Sequence, residues 1–124
     1  IQCGMRNAEC GMLIQKAGQQ VQRIRPKKFV EVEVTNLREF KAALMVHPDA
    51  VLLDNWSLVD IVTAVRLRNS TFRTPNSALL LEVSGGVTRH NVRRIAATGV
   101  DRISIGALTH SAPSLDVSLR VVLP

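Results

Sequence analysis

The stretch Leu81-Glu82-Val83-Ser84-Gly85-Gly86-Val87-Thr88 joins a strand pattern to a helix start across two glycines. The apolar run 78–83 predicts the strand, and Thr88 can cap a helix that continues to Thr98 before Gly99. Two glycines let the backbone approach a ligand closely, and the N-terminus of the next helix offers free N–H groups. The stretch therefore predicts a phosphate-binding turn, although an ordinary strand-to-helix turn would share its pattern.

Strand and helix patterns alternate on both sides of this turn. The predicted strands cover 29–34, 50–53, 78–83 and 102–105, and the predicted helices cover 5–24, 37–46, 57–68, 88–98 and 114–122. A loop is predicted over 69–76. This α/β alternation predicts parallel strands with right-handed helical crossovers. Four such units fit either an open doubly wound sheet or part of a (β/α) barrel, and the pattern alone leaves both open.

Two of the predicted helices begin with capping patterns. Asn36 is followed three residues later by Glu39, the spacing of a capping box for the helix that starts at 37. Ser57 and Asp60 repeat that spacing before the next helix. Within the first helix, Gly18 weakens the helical prediction by about 1 kcal/mol relative to alanine.

Composition narrows the class of protein. The chain has 124 residues, 46% of them hydrophobic, which is enough for one domain with an aliphatic core. Aromatic residues make up 3%, too few for the stacking platforms of a single-stranded nucleic-acid binder. No apolar run approaches the roughly 20 residues of a membrane span. We therefore expect no membrane partner. Cys3 and Cys10 are too few for a disulfide framework, so we expect the protein to be cytoplasmic.

The net charge of +6 is concentrated locally. The segment 23–28 holds four basic residues, and Arg93 and Arg94 form a smaller pair. Such clusters are more often solvated helix ends than nucleic-acid sites, and a protein with anionic phosphate ligands is the intermediate interpretation. We therefore expect no nucleic-acid partner.

Polar residues and glycines follow all four predicted strands at their C-terminal ends. Glu33, Asp54, the turn 84–86 and Gly106 occupy these positions. In parallel α/β architectures, ligands bind at that edge. Agreement among four strands predicts a ligand site there more strongly than any single motif does.

The acidic residues among them allow two interpretations each. Glu31 and Glu33 share one face of a strand whose other face is valine, and they would suit either a barrel mouth with basic or metal partners or a solvated face with ion pairs. Asp54 could hold Mg²⁺ or a sugar hydroxyl, although Asp54 and Asn55 could equally satisfy loop backbone groups. The segment 105–113 repeats the strand–glycine pattern, so two turns could share one phosphate, with His110 as a donor.

Taken in order, these segments resemble a known family. Glu31-Val32-Glu33-Val34, Leu52-Leu53-Asp54-Asn55, 81–88 and 104–113 are similar to the C-terminal half of quinolinate phosphoribosyltransferase, also called nicotinate-nucleotide pyrophosphorylase (carboxylating). The resemblance covers about 30–119. It implies an incomplete (β/α) barrel of parallel strands, with residues 1–124 as a partial C-terminal barrel domain and the family's N-terminal domain absent.

The resemblance also implies an activity. Family members are glycosyltransferases of NAD biosynthesis that join quinolinate to phosphoribosyl pyrophosphate with Mg²⁺, releasing pyrophosphate and carbon dioxide to give nicotinate mononucleotide. By motif, Glu33 and Asp54 would be catalytic, contacting the ribose hydroxyls and the metal-bound pyrophosphate. The phosphate-binding residues implied by the same motifs are Ser84, Gly85, Gly86, Gly106 and His110.

The basic segments with which the family binds quinolinate lie upstream of the matched region in family members, and the stretch Ile1-Gln2-Cys3-Gly4 matches neither of them. Three hypotheses follow: a truncated or divergent member of the family, a pyrophosphorylase-like paralogue with another acceptor, and a non-enzymatic remnant that binds phosphate ligands or nucleic acid. Because family members form homodimers and a partial barrel exposes strand edges, we expect a homo-oligomer, dimeric or larger.

Overall fold

The computed structural model of the chain describes residues 9–24, 28–71, 79–109 and 116–120. Its elements, in chain order, are helix α1 (Glu9–Ile24), strand β1 (Glu31–Val34), helix α2 (Leu37–Leu44), strand β2 (Ala50–Asp54), helix α3 (Leu58–Thr71), strand β3 (Leu80–Ser84), helix α4 (Val92–Ala96), strand β4 (Arg102–Ile103) and a 3-10 turn (Gly106–Leu108). The predicted alternation of strands and helices is confirmed.

The four strands form one parallel sheet in the order β1-β2-β3-β4. Each new strand joins the same edge of the growing sheet, so right-handed crossovers carry all the connecting helices to one face. A doubly wound sheet reverses its strand order near the middle and places helices on both faces. The observed order is therefore that of a segment of a (β/α) barrel, which decides the alternative that the sequence pattern left open.

The core lies between the sheet and its helices. Alternate strand residues point towards the helices and are 0–1% exposed, namely Val32, Val34, Val51, Leu53, Leu81 and Val83. Phe40 of α2 and Ile61 of α3 meet them from the helical layer and are equally buried. Full burial of such a side chain contributes roughly 1.5–3 kcal/mol, so this layer stabilises the sheet from one side.

Side-chain caps fix where α2 and α3 begin. Asn36 Oδ1 accepts hydrogen bonds from the second and third backbone N–H groups of α2, at 3.1 and 3.0 Å. Glu39 Oε2 completes the cap by accepting from the N–H and hydroxyl of Thr35, at 2.8 and 3.0 Å. Before α3, Ser57 Oγ donates to Asp60 Oδ2 and accepts from the Asp60 N–H. Both predicted caps are confirmed, with Glu39 reaching back to Thr35.

The N-terminal edge of the sheet carries the same arrangement twice. Asp49 accepts the Val30 N–H at its Oδ2 (2.7 Å) and donates its own N–H to the Val30 carbonyl (2.9 Å). Asp101 does the same with Leu81, at 2.8 and 2.9 Å, and also pairs with the guanidinium of Arg68. We call each arrangement an aspartate clip. One clip ties the start of β2 to β1, and the other ties the start of β4 to β3.

Helix α1 packs on the end of α2 through a glycine. Gly18 is buried, and a Cβ built on it would lie only 2.9–3.1 Å from three side-chain atoms of Val46. Ile14, one turn earlier, is fully buried. The glycine that weakens the helical pattern therefore permits close contact between the two helices.

Several predicted boundaries are wrong, and side-chain hydrogen bonds explain two of them. The helix predicted from Thr88 begins only at Val92, because the Asn91 side chain bonds the Gly86 carbonyl and the Thr88 N–H and keeps the intervening residues in turns. The loop predicted from Asn69 is still helical to Thr71, because the hydroxyls of residues 70 and 71 donate to a carbonyl one turn earlier.

The remaining differences concern the ends of the strands and of the chain. Strand β1 begins at Glu31, because the backbone N–H and carbonyl of Val30 bond to Asp49 instead. Strand β4 ends at Ile103. Residues 116–120, predicted as helical, have no regular secondary structure, and Val117 and Leu119 are 74% and 92% exposed. The predictions for 5–8, 72–76, 110–115 and 121–122 lie outside the described residues. None of the described helices is long and apolar enough to cross a bilayer.

Candidate functional site

The strand register places three charged side chains and one leucine in a row across the sheet. Glu33 pairs with Leu52, Leu52 with Glu82, and Glu82 with Arg102. Side chains at paired positions of parallel strands point to the same face, and these alternate with the valines and leucines buried under the helices. The row therefore lies on the face that would line the interior of a barrel.

A second row lies nearer the C-terminal edge. Asp54 pairs directly with Ser84, and both side chains are half-buried. Asp54 is two residues beyond Leu52, so it shares the interior face with Glu33 on the neighbouring strand. The structure thus brings Glu33, Asp54 and Ser84 to one face near one edge of the sheet, while their chemical roles stay predictions.

The loop after β2 is tied to both neighbouring strands. The Asn55 N–H donates to the Ser84 carbonyl of β3 at 2.9 Å, and the indole Nε1 of Trp56 donates to the Val34 carbonyl of β1 at 2.9 Å. The Trp56 ring also meets the edge of Phe40, with centroids 6.0 Å apart and planes at 72°. Asp54 therefore ends a strand whose following loop has little freedom to move.

The glycine turn after β3 has left-handed backbone at both glycines. Gly85 has φ +83° and Gly86 has φ +60°, a region that glycine enters without steric cost. A Cβ on Gly85 would lie 2.2 Å from Asn55 Oδ1, whereas no described atom lies within 4 Å of a Cβ on Gly86. Asn91 donates from Nδ2 to the Gly86 carbonyl (2.9 Å) and accepts the Thr88 N–H (2.8 Å). The turn is thus held by an asparagine on each side.

The helix after this turn differs from the prediction in a way that matters for anion binding. Helix α4 begins at Val92 and has five residues, so its N-terminus does not follow the glycines directly. An anion at the turn would therefore be bound by backbone N–H groups of the glycine turn itself, because the Thr88 N–H already donates to Asn91. The helix thus begins four residues later than the predicted start at Thr88.

The chain after the fourth strand continues alongside β3. The Ser104 N–H donates to the Val83 carbonyl at 2.9 Å, which keeps the chain next to β3 beyond the end of β4. Gly106 opens the 3-10 turn and is exposed, and no described atom lies within 4 Å of a Cβ built there. His110 lies outside the described residues.

Deeper on the interior face, charged groups contact one another. Glu82 accepts a hydrogen bond from Ser104 Oγ at 2.5 Å, and its other oxygen lies 3.9 Å from the guanidinium of Arg102. Partial burial raises the pKa of Glu31, and the nearby charge of Glu82 and a hydrogen bond between the two carboxyl groups raise it further, while Arg102 lowers it. The ion pair described on this face joins Arg102 to Glu82, and for Glu31 both interpretations stay open. The sequence analysis missed Glu82, Arg102 and Ser104, although the two-residue period of the strands places them on this face.

The carboxylates at the edge suit a metal that arrives with its substrate. Among the described residues, no group of three or more His, Cys, Asp or Glu side chains is arranged to hold a metal ion. Mg²⁺ usually takes one or two carboxylates and completes its shell with water and substrate phosphates. Glu33 and Asp54, on adjacent strands, fit that mode of binding and do not form an all-protein cage.

Comparison with known proteins decides the family. A family model described as quinolinate phosphoribosyl transferase, C-terminal domain, matches residues 5–120. The chain belongs to this family. A probable nicotinate-nucleotide pyrophosphorylase [carboxylating] of Methanocaldococcus jannaschii is 42% identical over 95 residues, which are 77% of this chain and 34% of that protein. The human nicotinate-nucleotide pyrophosphorylase [carboxylating] is 35% identical over 92 residues, 74% of this chain and 30% of its own.

Solved structures agree on the quinolinate phosphoribosyltransferase fold. The nicotinate-nucleotide pyrophosphorylase from Francisella tularensis superposes with a TM-score of 0.69 at 41% identity, covering 85% of this chain and 36% of that one. The chain thus spans about a third of the length of the relatives that it matches. In this member of the family, Asp54, Ser84 and the glycine turn lie at the C-terminal edge of the sheet.

Proposed function

We propose that this chain carries the phosphoribosyl-binding part of an enzyme that transfers phosphoribosyl from phosphoribosyl pyrophosphate to quinolinate, giving nicotinate mononucleotide for NAD biosynthesis. The observation that carries the proposal is the direct pairing of Asp54 with Ser84 at the C-terminal edge, next to the glycine turn. An acid for the ribose and a cradle for the phosphate thereby lie on adjacent strands. Membership of the family supports the same substrates.

The reaction would proceed at C1 of the ribose. The pyridine nitrogen of quinolinate forms a bond to C1 while the bond from C1 to the pyrophosphate oxygen breaks, and pyrophosphate leaves with that electron pair. The carboxylate next to the nitrogen then leaves as carbon dioxide, and the ring carbon that keeps the electrons takes a proton from solvent. Positive charge develops at C1 in the transition state, so the carboxylates of Glu33 and Asp54 would stabilise it.

The adjacent turns would bind the 5-phosphate end of phosphoribosyl pyrophosphate. The 5-phosphate of the ribose would accept hydrogen bonds from backbone N–H groups of Ser84, Gly85 and Gly106, with Gly86 and His110 close by. Among the described residues, no atom lies within 4 Å of a Cβ built on Gly86 or Gly106. This supports the assignment, because a ligand atom can approach the backbone of glycine closely. Mg²⁺ would be held by Glu33, Asp54 and the pyrophosphate oxygens, and it would neutralise charge on the leaving group.

The same proposal includes the cellular location and the oligomeric state of the enzyme. We place it in the cytoplasm and expect it to act as a homodimer or larger homo-oligomer. The relatives carry the carboxylating activity in their names, which favours the first of the three hypotheses over a paralogue with another acceptor and over a non-enzymatic remnant.

The test is detection of nicotinate mononucleotide by mass spectrometry after incubation of the chain with quinolinate, phosphoribosyl pyrophosphate and Mg²⁺. Asp54→Ala should abolish the product. Asp116→Ala is the matched control, because it removes an exposed carboxylate from a segment without regular structure and should leave the yield unchanged.

Each outcome separates a part of the proposal. Product from the wild-type chain but not from Asp54→Ala supports the whole of it. Mg²⁺-dependent binding of phosphoribosyl pyrophosphate without product would support the phosphoribosyl site and contradict complete transfer by this chain alone. Absence of both product and binding would contradict the proposed function for this chain.

A further inference from the structure

Asn55 contacts both halves of the proposed site. Its side-chain Nδ2 donates to Asp54 Oδ2 at 2.9 Å, and its backbone N–H donates to the Ser84 carbonyl at 2.9 Å. Its side chain also lies directly against Gly85: a Cβ built on that glycine would be 2.2 Å from Oδ1 and 2.5 Å from Cγ. One residue therefore contacts the acid, the end of the neighbouring strand and the glycine turn.

The backbone of Asn55 restricts which residue can stand there. Its φ is +58°, a left-handed conformation that glycine, asparagine and aspartate adopt with the least cost. Glycine would keep the conformation but lacks the amide that donates to Asp54. Aspartate has no donor and would place a second carboxylate beside the first. Asparagine alone among these three combines the required backbone with the required hydrogen bond.

We propose that Asn55 is a positioning residue, which fixes the Asp54 carboxylate relative to the turn at Ser84 and Gly85 so that acid and phosphate cradle bind one ligand as a unit. This inference rests on the proposed function. The amide holds one oxygen of Asp54 and so sets the plane of the carboxylate. The packing of the same amide on Gly85 sets the distance between that plane and the turn.

A role in positioning predicts that ligands respond differently to the loss of Asn55. Phosphoribosyl pyrophosphate with Mg²⁺ reaches both Asp54 and the turn, so its binding depends on their relative placement. Inorganic phosphate can occupy the turn alone. Asn55→Gly keeps the left-handed backbone and removes only the side chain, so it should weaken binding of the first ligand about tenfold, the size expected for a lost hydrogen bond to a charged group. Binding of inorganic phosphate should change less than about twofold.

Calorimetric titration of the 124-residue chain tests this with a double-mutant cycle. Asn55→Gly is measured in the wild-type background and in Asp54→Asn. If Asn55 acts through Asp54, the tenfold loss for Mg²⁺-phosphoribosyl pyrophosphate disappears in the second background. An equal loss in both backgrounds, or an equal loss for inorganic phosphate, would mean that the substitution only loosens the loop, and the inference would be wrong.

A measurement without ligand separates this inference from the proposed function. In ¹⁵N-resolved NMR spectra, the side-chain amide signals of Asn55 should move when Asp54 becomes alanine and should stay in place in the exposed control Asp116→Ala. If the wild-type chain binds no phosphoribosyl pyrophosphate, the proposed function fails for this chain. The inference about Asn55 is overturned separately, if the amide signals do not respond to Asp54.

Discussion

At the scale of single residues, the two glycines of the turn after β3 have different surroundings. Both have positive φ, so an alanine at either position would be strained by roughly 1–2 kcal/mol. Within the described part of the chain, the new methyl group would overlap a neighbour at Gly85, namely the side chain of Asn55, but not at Gly86. A comparison of alanine variants at Gly85 and Gly86 therefore separates the effect of backbone strain from that of steric overlap.

We predict that Gly85→Ala lowers the free energy of unfolding by about 1–3 kcal/mol more than Gly86→Ala does, the usual size of an overpacking penalty. Urea unfolding of the two variants, followed by circular dichroism, measures the difference. Gly86→Ala serves as the control because it shares the backbone strain without the overlap. Equal destabilisation of the two variants would show that Asn55 does not lie against Gly85 as described.

Glu31 gives a second prediction at this scale, one that depends on pH. Its pKa is raised above the ordinary value of 4.5, first by partial burial and then by Glu82. A carboxyl group with a raised pKa in the folded state stabilises the fold while it is protonated, and this contribution is lost as the pH rises through that pKa. Glu31→Gln should therefore raise the melting temperature at neutral pH, and the gain should vanish below pH 4.5.

Melting curves across that range test the sign. The exposed carboxylate of Asp116 provides the control, since Asp116→Asn should change the melting temperature at neutral pH much less than Glu31→Gln does. If Glu31→Gln lowered the melting temperature at neutral pH, the ionised form of Glu31 would be the stabilising one, contrary to its contacts with Glu82.

At the scale of secondary structure, periodicity and capping patterns predict more than boundaries do. The alternation of valine and glutamate in 31–34 reveals β1 and both of its faces, and Asn36 with Ser57 marks the starts of α2 and α3. The start of α4 was not predictable, because it depends on the Asn91 side chain bonding back to the glycine turn. Local patterns predict elements, whereas contacts between separate segments set where these end.

The same limit applies to the candidate site. Glu33, Asp54, Ser84 and the glycines could be chosen from the sequence because each follows or ends a strand. The strand period could place Glu82 on the same face but could not name its partner Ser104. Asn55 could not be chosen, because its contact with Gly85 joins two separate segments. These contacts depend on strand order and register, which no single segment of the sequence predicts.

Contact between α1 and α2 yields a prediction at the element scale. Alanine is normally the better helix former by about 1 kcal/mol, so Gly18→Ala would stabilise an isolated helix. In this fold the added methyl group would press on Val46 at 2.9–3.1 Å, and we expect a net loss of about 1–2 kcal/mol instead. Gln19→Ala, at an exposed neighbouring position, should be neutral or slightly stabilising. Chemical denaturation of both variants measures the two changes in stability. Stabilisation by Gly18→Ala would show that α1 does not pack closely on Val46.

At the scale of the whole molecule, apolar side chains at the surface favour association. Several large ones in the described parts of the chain are more than half exposed, namely Met12, Phe29, Met45, Val59 and Leu108. In the described sheet, β1 and β4 are the edge strands, and an edge strand can pair with another chain. Both features lie outside the layer that the sheet and helices bury together.

We predict that the chain forms a dimer or a larger homo-oligomer in solution. Light scattering coupled to size exclusion should give a mass of at least twice 13.6 kDa at micromolar concentration. Dilution should shift the population towards the monomer if the association is reversible. A single species of 13.6 kDa at every concentration would contradict the expectation.

The two aspartate clips lie at the edge of the sheet opposite the candidate site. Each clip ties the first strand of a strand–helix–strand unit to the second, by Asp49 in one unit and by Asp101 in the other. Their hydrogen bonds use no group of Asp54 or Ser84. A substitution at the site edge, such as Asp54→Ala, therefore leaves both ties between the strands in place.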